Sequence, residues 1–289
     1  MKKRKNRHAF AVLAAAAIGV FLGMGPLPGQ DAGAAKGGAK KATPKAAPKV
    51  GPVKRLPDGK PDMQGYWQTN NFFTAFDLET HEKAEFQIPA GKGVVVDPAD
   101  GKIPYQPWAM AKKKDLVDHH LSDDPQAHCY LSGVPRQMYT PFGFQIMQPP
   151  GSVAMFFEAF HAYRIIHLSG KHPDPAVRMF EGDSRGHWEG DTLVVDVANQ
   201  NDRTWFDMAG NFHSEDIHLL ERYTPVDANT INYEATITDP KVFTRPWKIA
   251  FSFGRNTEAN YENLEFACTE GEQDLQHYTE SQGGEKKDR

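Results

Sequence analysis

Two runs of strict alternation constrain this chain more than any other feature. Over 230–238, Ile231, Tyr233, Ala235 and Ile237 alternate with Asn232, Glu234, Thr236 and Thr238. Over 247–253, Trp247, Ile249, Phe251 and Phe253 alternate with Lys248, Ala250 and Ser252. A period of two places every apolar side chain on one face of an extended chain, the mark of a half-buried antiparallel strand. Thr192 to Ala198 repeats the pattern through Leu193, Val195 and Val197. Phe144 to Gln148, Val153 to Phe160 and Ala162 to Leu168 read as consecutive strands before it. Gly190-Asp191, between Trp188 and Thr192, is a tight hairpin turn, and Asp227-Ala228-Asn229 and Asp239-Pro240 mark further turns. Gly182 and Gly186 are also assigned to turns. Many alternating strands with short turns predict an all-β, mainly antiparallel fold: a closed or nearly closed barrel, with a sandwich as the alternative.

The N-terminal half is less regular. Gly65-Tyr66-Trp67 opens an apolar stretch, and Val94-Val95-Val96 is one short strand. Pro107 suits the first position of a helix, and Trp108 to about Val117 is the one helix expected. Residues 118–142, with His119, His120 and His128, read as irregular, their histidines as ordinary polar loop residues.

Ahead of this body stands a leader. Lys2, Lys3, Arg4, Lys5 and Arg7 precede an apolar run from Ala9 to Met24, Gly25-Pro26 breaks it, and Ala32-Gly33-Ala34 is a small-residue cleavage site. These are the three parts of a secretory signal peptide, expected over 1–34. Residues 35–55 read as a basic linker of Ala, Lys, Gly and Pro, too apolar-poor to form a core. A single extracytoplasmic domain over 56–289 follows, secreted or periplasmic. No later segment has the ~20 apolar residues of a membrane span.

The formal charge of −4 conceals an asymmetry. Residues 1–55 hold 12 of the 33 Lys and Arg and only one acid, Asp31, so 21 basic and 36 acidic residues remain beyond, a balance of −15. An acidic body excludes the clustered positive charge that nucleic-acid backbones require. The basic linker could instead lie against an anionic envelope, the bland alternative being a solvated spacer.

Two cysteines, Cys129 and Cys268, stand far apart. In an oxidising compartment such a pair often joins; two buried thiols are the alternative.

Several segments resemble a group of secreted bacterial proteins without an established reaction. They are Pro57-Asp-Gly-Lys-Pro-Asp62, Cys129 to Arg136, Gly182 to Asp196 with its Trp-Glu-Gly-Asp-Thr-Leu-Val-Val-Asp core, His213 to Tyr223, and Asp239 to Trp247. Where that group tends to carry His after the late Cys, this chain has Thr269. Gly65-Tyr66-Trp67 is also similar to the opening Gly-x-Trp of lipocalin-like (calycin) barrels. That resemblance implies a lipocalin-like barrel with an irregular N-terminal segment and one short helix.

Chemistry-bearing residues concentrate on two strands. Along 213–223, His213, Glu215, Ile217, Leu219, Glu221 and Tyr223 share one face, and Ser214, Asp216, His218, Leu220 and Arg222 the other. Imidazole beside carboxylate can work as acid and base or begin a metal site, with His213, Glu215 and His218 as candidate ligands for a divalent ion. The alternative is a solvated face with a structural Glu221–Arg222 network. Along 158–167, unbroken extension puts Glu158 and Arg164 on one face with Phe156, Phe160 and Ile166. A buried Glu158–Arg164 pair could hold a polar ligand through the planar guanidinium fork, or could be a plain salt bridge. Trp188 and Asp196 complete the candidates.

Three readings of function follow. The first is a barrel that binds a small polar or aromatic ligand at its mouth through Glu158, Arg164, His218, Arg222, Trp188 and Asp196. The second is an extracytoplasmic hydrolase or lyase, with His213 as base, Glu221 beside it and Arg164 as electrostatic stabiliser. An envelope structural protein without a pocket is a third. No phosphate loop, dinucleotide fingerprint, zincin motif or nucleophile elbow is present.

Overall fold

The structure is a computed structural model and describes residues 51–83, 90–266 and 268. They belong to the unit 50–84 with 88–289; the chain's other unit, 1–49 with 85–87, lies outside them. The expected signal segment and most of the expected linker also lie outside the described residues.

Among the described residues, ten strands and two α-helical segments follow in chain order. They are β1 (Gly65–Thr69), β2 (Val95–Asp97), α1 (Pro107–His119), α2 (Arg136–Tyr139), β3 (Phe144–Met147), β4 (Ser152–Phe157) and β5 (Tyr163–His167), then β6 (Asp183–Glu189), β7 (Thr192–Ala198), β8 (His218–Asp227), β9 (Thr230–Thr238) and β10 (Trp247–Arg255). Each strand from β3 pairs with the next, β1 pairs with β3, and β1 also pairs with β10. The sheet therefore closes as a nine-stranded barrel, and β2 adds to the remaining length of β10. The architecture is the all-β, lipocalin-like barrel expected, with α1 its one helix longer than a single turn among the described residues.

Alternation decides which side chains fill it. Leu219, Glu221 and Tyr223 of β8 point inward with Ile231, Tyr233, Ala235 and Ile237 of β9 and Trp247, Ile249 and Phe253 of β10; all are buried. Burying one large apolar side chain contributes roughly 1.5–3 kcal/mol, so these three strands anchor the core. Outward positions include paired charges, Glu189 with Arg222 and Glu234 with Lys248, each at 2.9 Å. No helix among the described residues is long and apolar enough to cross a membrane.

Every ladder is antiparallel except β5–β6. Those two strands run parallel and share two partner pairs, Ile166 with Ser184 and His167 with Arg185. This short contact is a seam in the wall. α2 closes the interior as a plug whose four residues are all buried. Arg136, on that plug, makes a two-pronged ion pair with Asp124 at 2.7 and 2.8 Å. Cys129 and Cys268 are joined as a disulfide, closing 139 residues of chain.

Three local expectations are corrected. Gly186 lies within β6 rather than in a turn. The chain reverses at Phe160 and His161, both with positive φ, so β4 stops at Phe157 and the extension through 158–162 is broken. Phe156, inside β4, points outward, while Arg164 and Ile166 point in. The polar strand begins at His218; residues 213–217 approach it as a turn.

Candidate functional site

Arg164 of β5 and Glu221 of β8 meet inside the barrel, both buried. Arg164 Nη1 donates to Glu221 Oε1 at 3.1 Å, Nη2 donates to Oε2, and Nε donates to Ser184 Oγ at 2.9 Å. The hydroxyls of Tyr233 and Tyr223 donate to Glu221 Oε1 at 2.7 and 3.0 Å. Removing two charges from water is costly unless each is paired and hydrogen-bonded, and here both are. Burial, then the Glu221 charge, pushes both phenols well above their usual titration range. Glu221 thus pairs with Arg164 rather than its neighbour Arg222, which faces outward to Glu189.

Glu158 does not join this pair. Its carboxylate turns to the C-terminal strap, accepting from Tyr261 Oη at 2.6 Å, Leu264 N–H at 2.9 Å and Gly143 N–H at 3.1 Å. Phe266 stacks on Phe142, and Cys268 ties the strap's end to Cys129. Glu158 is therefore a structural clamp.

His213 lies in a second buried group. Its Nδ1 is 2.9 Å from the Ser214 carbonyl, which can only accept, so Nδ1 carries the proton. Nε2 is then the acceptor, and the Thr204 hydroxyl donates to it across 2.7 Å. Burial lowers the His213 pKa and keeps the ring neutral. Asp239 fixes the turn by accepting from Ser214 N–H at 2.6 Å and Ser214 Oγ at 2.9 Å. Gln200 Nε2 donates to Thr204 Oγ1 at 3.1 Å, while Gln200 Oε1 has no protein partner. Glu181 accepts from Gly133 N–H at 3.1 Å through Oε1, and its Oε2 has no protein partner either. Burial pushes the Glu181 carboxyl up to about 7, against the pull of Arg164.

His218 and Asp196 meet on the outer face. His218 Nε2 stands 2.8 Å from Asp196 Oδ1, and His172 Nε2 stands 3.0 Å from the same oxygen. His172 Nδ1 reaches Asp183 at 2.7 Å, and Arg185 grips Asp183 with two donors at 2.7 and 3.0 Å. This network pins the 168–182 connection to the barrel wall. The three metal-ligand candidates are dispersed: His213 is buried, His218 is on the outer wall, and Glu215 is an exposed turn residue near Lys241. Among the described residues, no three His, Cys, Asp or Glu side chains form a group able to hold a metal ion.

Trp188 leads to a different place. It rims a groove of about 360 Å³ together with Leu56, Pro57, Lys60, Pro149, Pro150 and Leu168, among others. The groove lies at the barrel's end, where β6 continues past the β5 seam. Its volume falls within the range of small-molecule sites, roughly 300–1,000 Å³. Lys60 Nζ stands 5.9 Å from the Trp188 ring centroid, leaving a cation at the groove's edge. A second concavity, about 530 Å³, is walled by the flank of α1 alone, with Met110, Lys114 and Val117. A site drawn from several elements holds its groups more rigidly than one helix flank, so the groove is the stronger candidate.

Sequence reasoning missed Ser184, Tyr223, Tyr233, Glu181, Thr204, Gln200 and His172. Tyr223 and Tyr233 had a usable signal, since their alternation places them on the face that holds Glu221. The others lie outside any periodic pattern or carry side chains too short to stand out. No protein-family model, no curated protein and no solved structure matches this chain.

Proposed function

We propose that this protein is a ligand-binding barrel that takes a small polar or aromatic ligand in the groove rimmed by Trp188. The carrying observation is the groove itself: a concavity of ligand size at the barrel's end, with an indole, three prolines and a lysine in its lining. An indole offers a broad apolar face, and Lys60 supplies a charge for a polar group on the ligand. The interior does not serve as a site in this reading, because Arg164 and Glu221 satisfy one another. The disulfide supports a secreted or periplasmic address, since cytosolic thiols are kept reduced. Membership of the secreted group and contact of the basic linker with the envelope belong to the same proposal, resting on the quoted motifs and on charge.

The test is thermal shift against a panel of sugars, phenolics and small carboxylates, on the wild type and on Trp188→Ala. A ligand at a hundred times its Kd stabilises the native state by about 2.7 kcal/mol. The expected outcome is a raised Tm in the wild type and none in the variant. Equal shifts in both proteins place the ligand elsewhere and defeat the proposal.

A second reading, a hydrolase or lyase, is favoured by one observation: His213 stands in the base tautomer with the Thr204 hydroxyl 2.7 Å from Nε2. Activating a hydroxyl in this way is the arrangement nucleophilic catalysis needs. Active-site titration with an electrophilic phosphonate tests it. Labelling at Thr204 that is lost in His213→Asn supports the enzyme; a wild type that takes up no label removes it.

A further inference from the structure

We infer that the occupant of the groove is an extended peptide segment, held by strand-like pairing to the free edge of β6; this rests on the groove being the ligand site. Two observations beyond the groove's shape support it.

The first is the seam. β6 pairs with β7 along its whole length, from Asp183 with Ala198 to Glu189 with Thr192. On its other edge it pairs with β5 only as far as Arg185. The ladder with β7 is antiparallel and ends on the two-residue turn Gly190-Asp191, so Glu189 and Thr192 form a hydrogen-bonded pair. Bonded and non-bonded pairs alternate along such a ladder. Trp188, opposite Leu193, is therefore a non-bonded position whose backbone N–H and C=O point away from β7. No described strand lies opposite it there, and Trp188 lines the groove. An unpaired strand edge is a template for another extended chain.

The second is the chemistry of the lining. Gln148, the groove's amide, is already spent: Oε1 accepts from Met63 N–H at 2.7 Å, and Nε2 donates to the Pro61 carbonyl at 3.1 Å. Asp58 Oδ1 accepts from Lys60 N–H at 3.0 Å. A sugar needs several uncommitted side-chain partners for its hydroxyls. The side-chain groups left over are Lys60 Nζ, Ser152 Oγ and Asp58 Oδ2, the Trp188 backbone adds a donor and an acceptor on one strand edge, and Pro57, Pro149, Pro150, Leu168 and the Trp188 ring supply apolar walls. That combination suits a peptide: main-chain bonds give affinity, and apolar pockets receive alternate side chains.

The experiment follows backbone amides of the full chain by NMR hydrogen exchange. The probes are a pool of capped pentapeptides with variable apolar positions, the same pool methylated on its backbone nitrogens, and a pool of short oligosaccharides with phenolics. The peptide pool is expected to slow exchange of the Trp188 amide about tenfold, and the methylated pool to leave it unchanged. Equal effects from both peptide pools, or peptide binding without change at Trp188, overturn the inference. Perturbation of Trp188 by oligosaccharides or phenolics alone also overturns it, and leaves the groove as the ligand site. No perturbation of the groove by any pool overturns both readings.

Discussion

Glu181 is the residue whose burial has the clearest consequence in solution. One carboxylate oxygen accepts from Gly133, the other has no protein partner, and burial raises the pKa from 4.5 to about 7. Between these values the folded protein holds a proton that the unfolded chain has released. Stability therefore falls as pH rises through this window and levels off above the folded pKa; the loss from this group is at most about 3 kcal/mol. His213 acts in the opposite sense. Its folded pKa is depressed, so the stability of its neutral form is lost as pH falls below the ordinary value of 6.5. The two effects overlap in the wild type, and Glu181→Gln separates them. Urea unfolding of both proteins at pH 5 and pH 7.5 is expected to show the wild type losing ground to the variant at the higher pH, by ~1–3 kcal/mol. A difference independent of pH would mean that Glu181 titrates normally in the fold.

At the level of elements, the legible parts were those whose own residues set the period. β7, β9 and β10 could be read because each carries three or four inward apolar side chains at every second position. β6 could not, because its inward positions are Ser184, Gly186 and Trp188, and two of these are small. α2 could not either: one turn buried on all sides has no periodic face to show. The same distinction separates the candidate residues. The grouping of Glu221 with Leu219 and Tyr223 on one face holds because the chain is extended from His218 onward. Its partner is not legible in the same way, because pairing Arg164 with Glu158 requires unbroken extension from 158 to 164. The left-handed backbone at Phe160 and His161, with φ of 62° and 52°, turns the chain between them. Neither residue is a glycine, so nothing in the local sequence announces that conformation. The reversal leaves Arg164 to Glu221 and gives Glu158 to the strap. Pairings across the barrel follow from closure, and no local pattern encodes them.

Closure is the property of the whole molecule, and it depends on a short contact. Among the described residues, β1 is the only strand joining β3 to β10, through three partner pairs on each side. Arg255 reinforces that contact. Its Nε donates to the Ala228 carbonyl at 2.7 Å, its Nη1 donates to the Gln64 carbonyl at 2.5 Å, and its guanidinium stands 4.2 Å from the Trp67 ring centroid. The guanidinium occupies space that a side chain on residue 65 would need: a Cβ on Gly65 would lie 2.4 Å from Arg255 Nη1, and the backbone there has φ +123°. Gly65→Ala therefore strains the backbone and displaces the guanidinium together. Strain of this kind costs ~1–3 kcal/mol, and a lost hydrogen bond from a charged donor about 1.5–3 kcal/mol. Gly59→Ala is the control for a positive-φ substitution that meets no neighbouring atom. Gly59 also has positive φ, +82°, but nothing lies within 4 Å of its would-be Cβ, so only the strain term applies. Urea unfolding is expected to show Gly65→Ala less stable than Gly59→Ala by about 2 kcal/mol. The variant should also self-associate, because an opened barrel exposes the edges of β1 and β10 to pairing with other copies. Equal costs for the two substitutions, with both proteins monodisperse, would show that Arg255 does not hold the barrel shut.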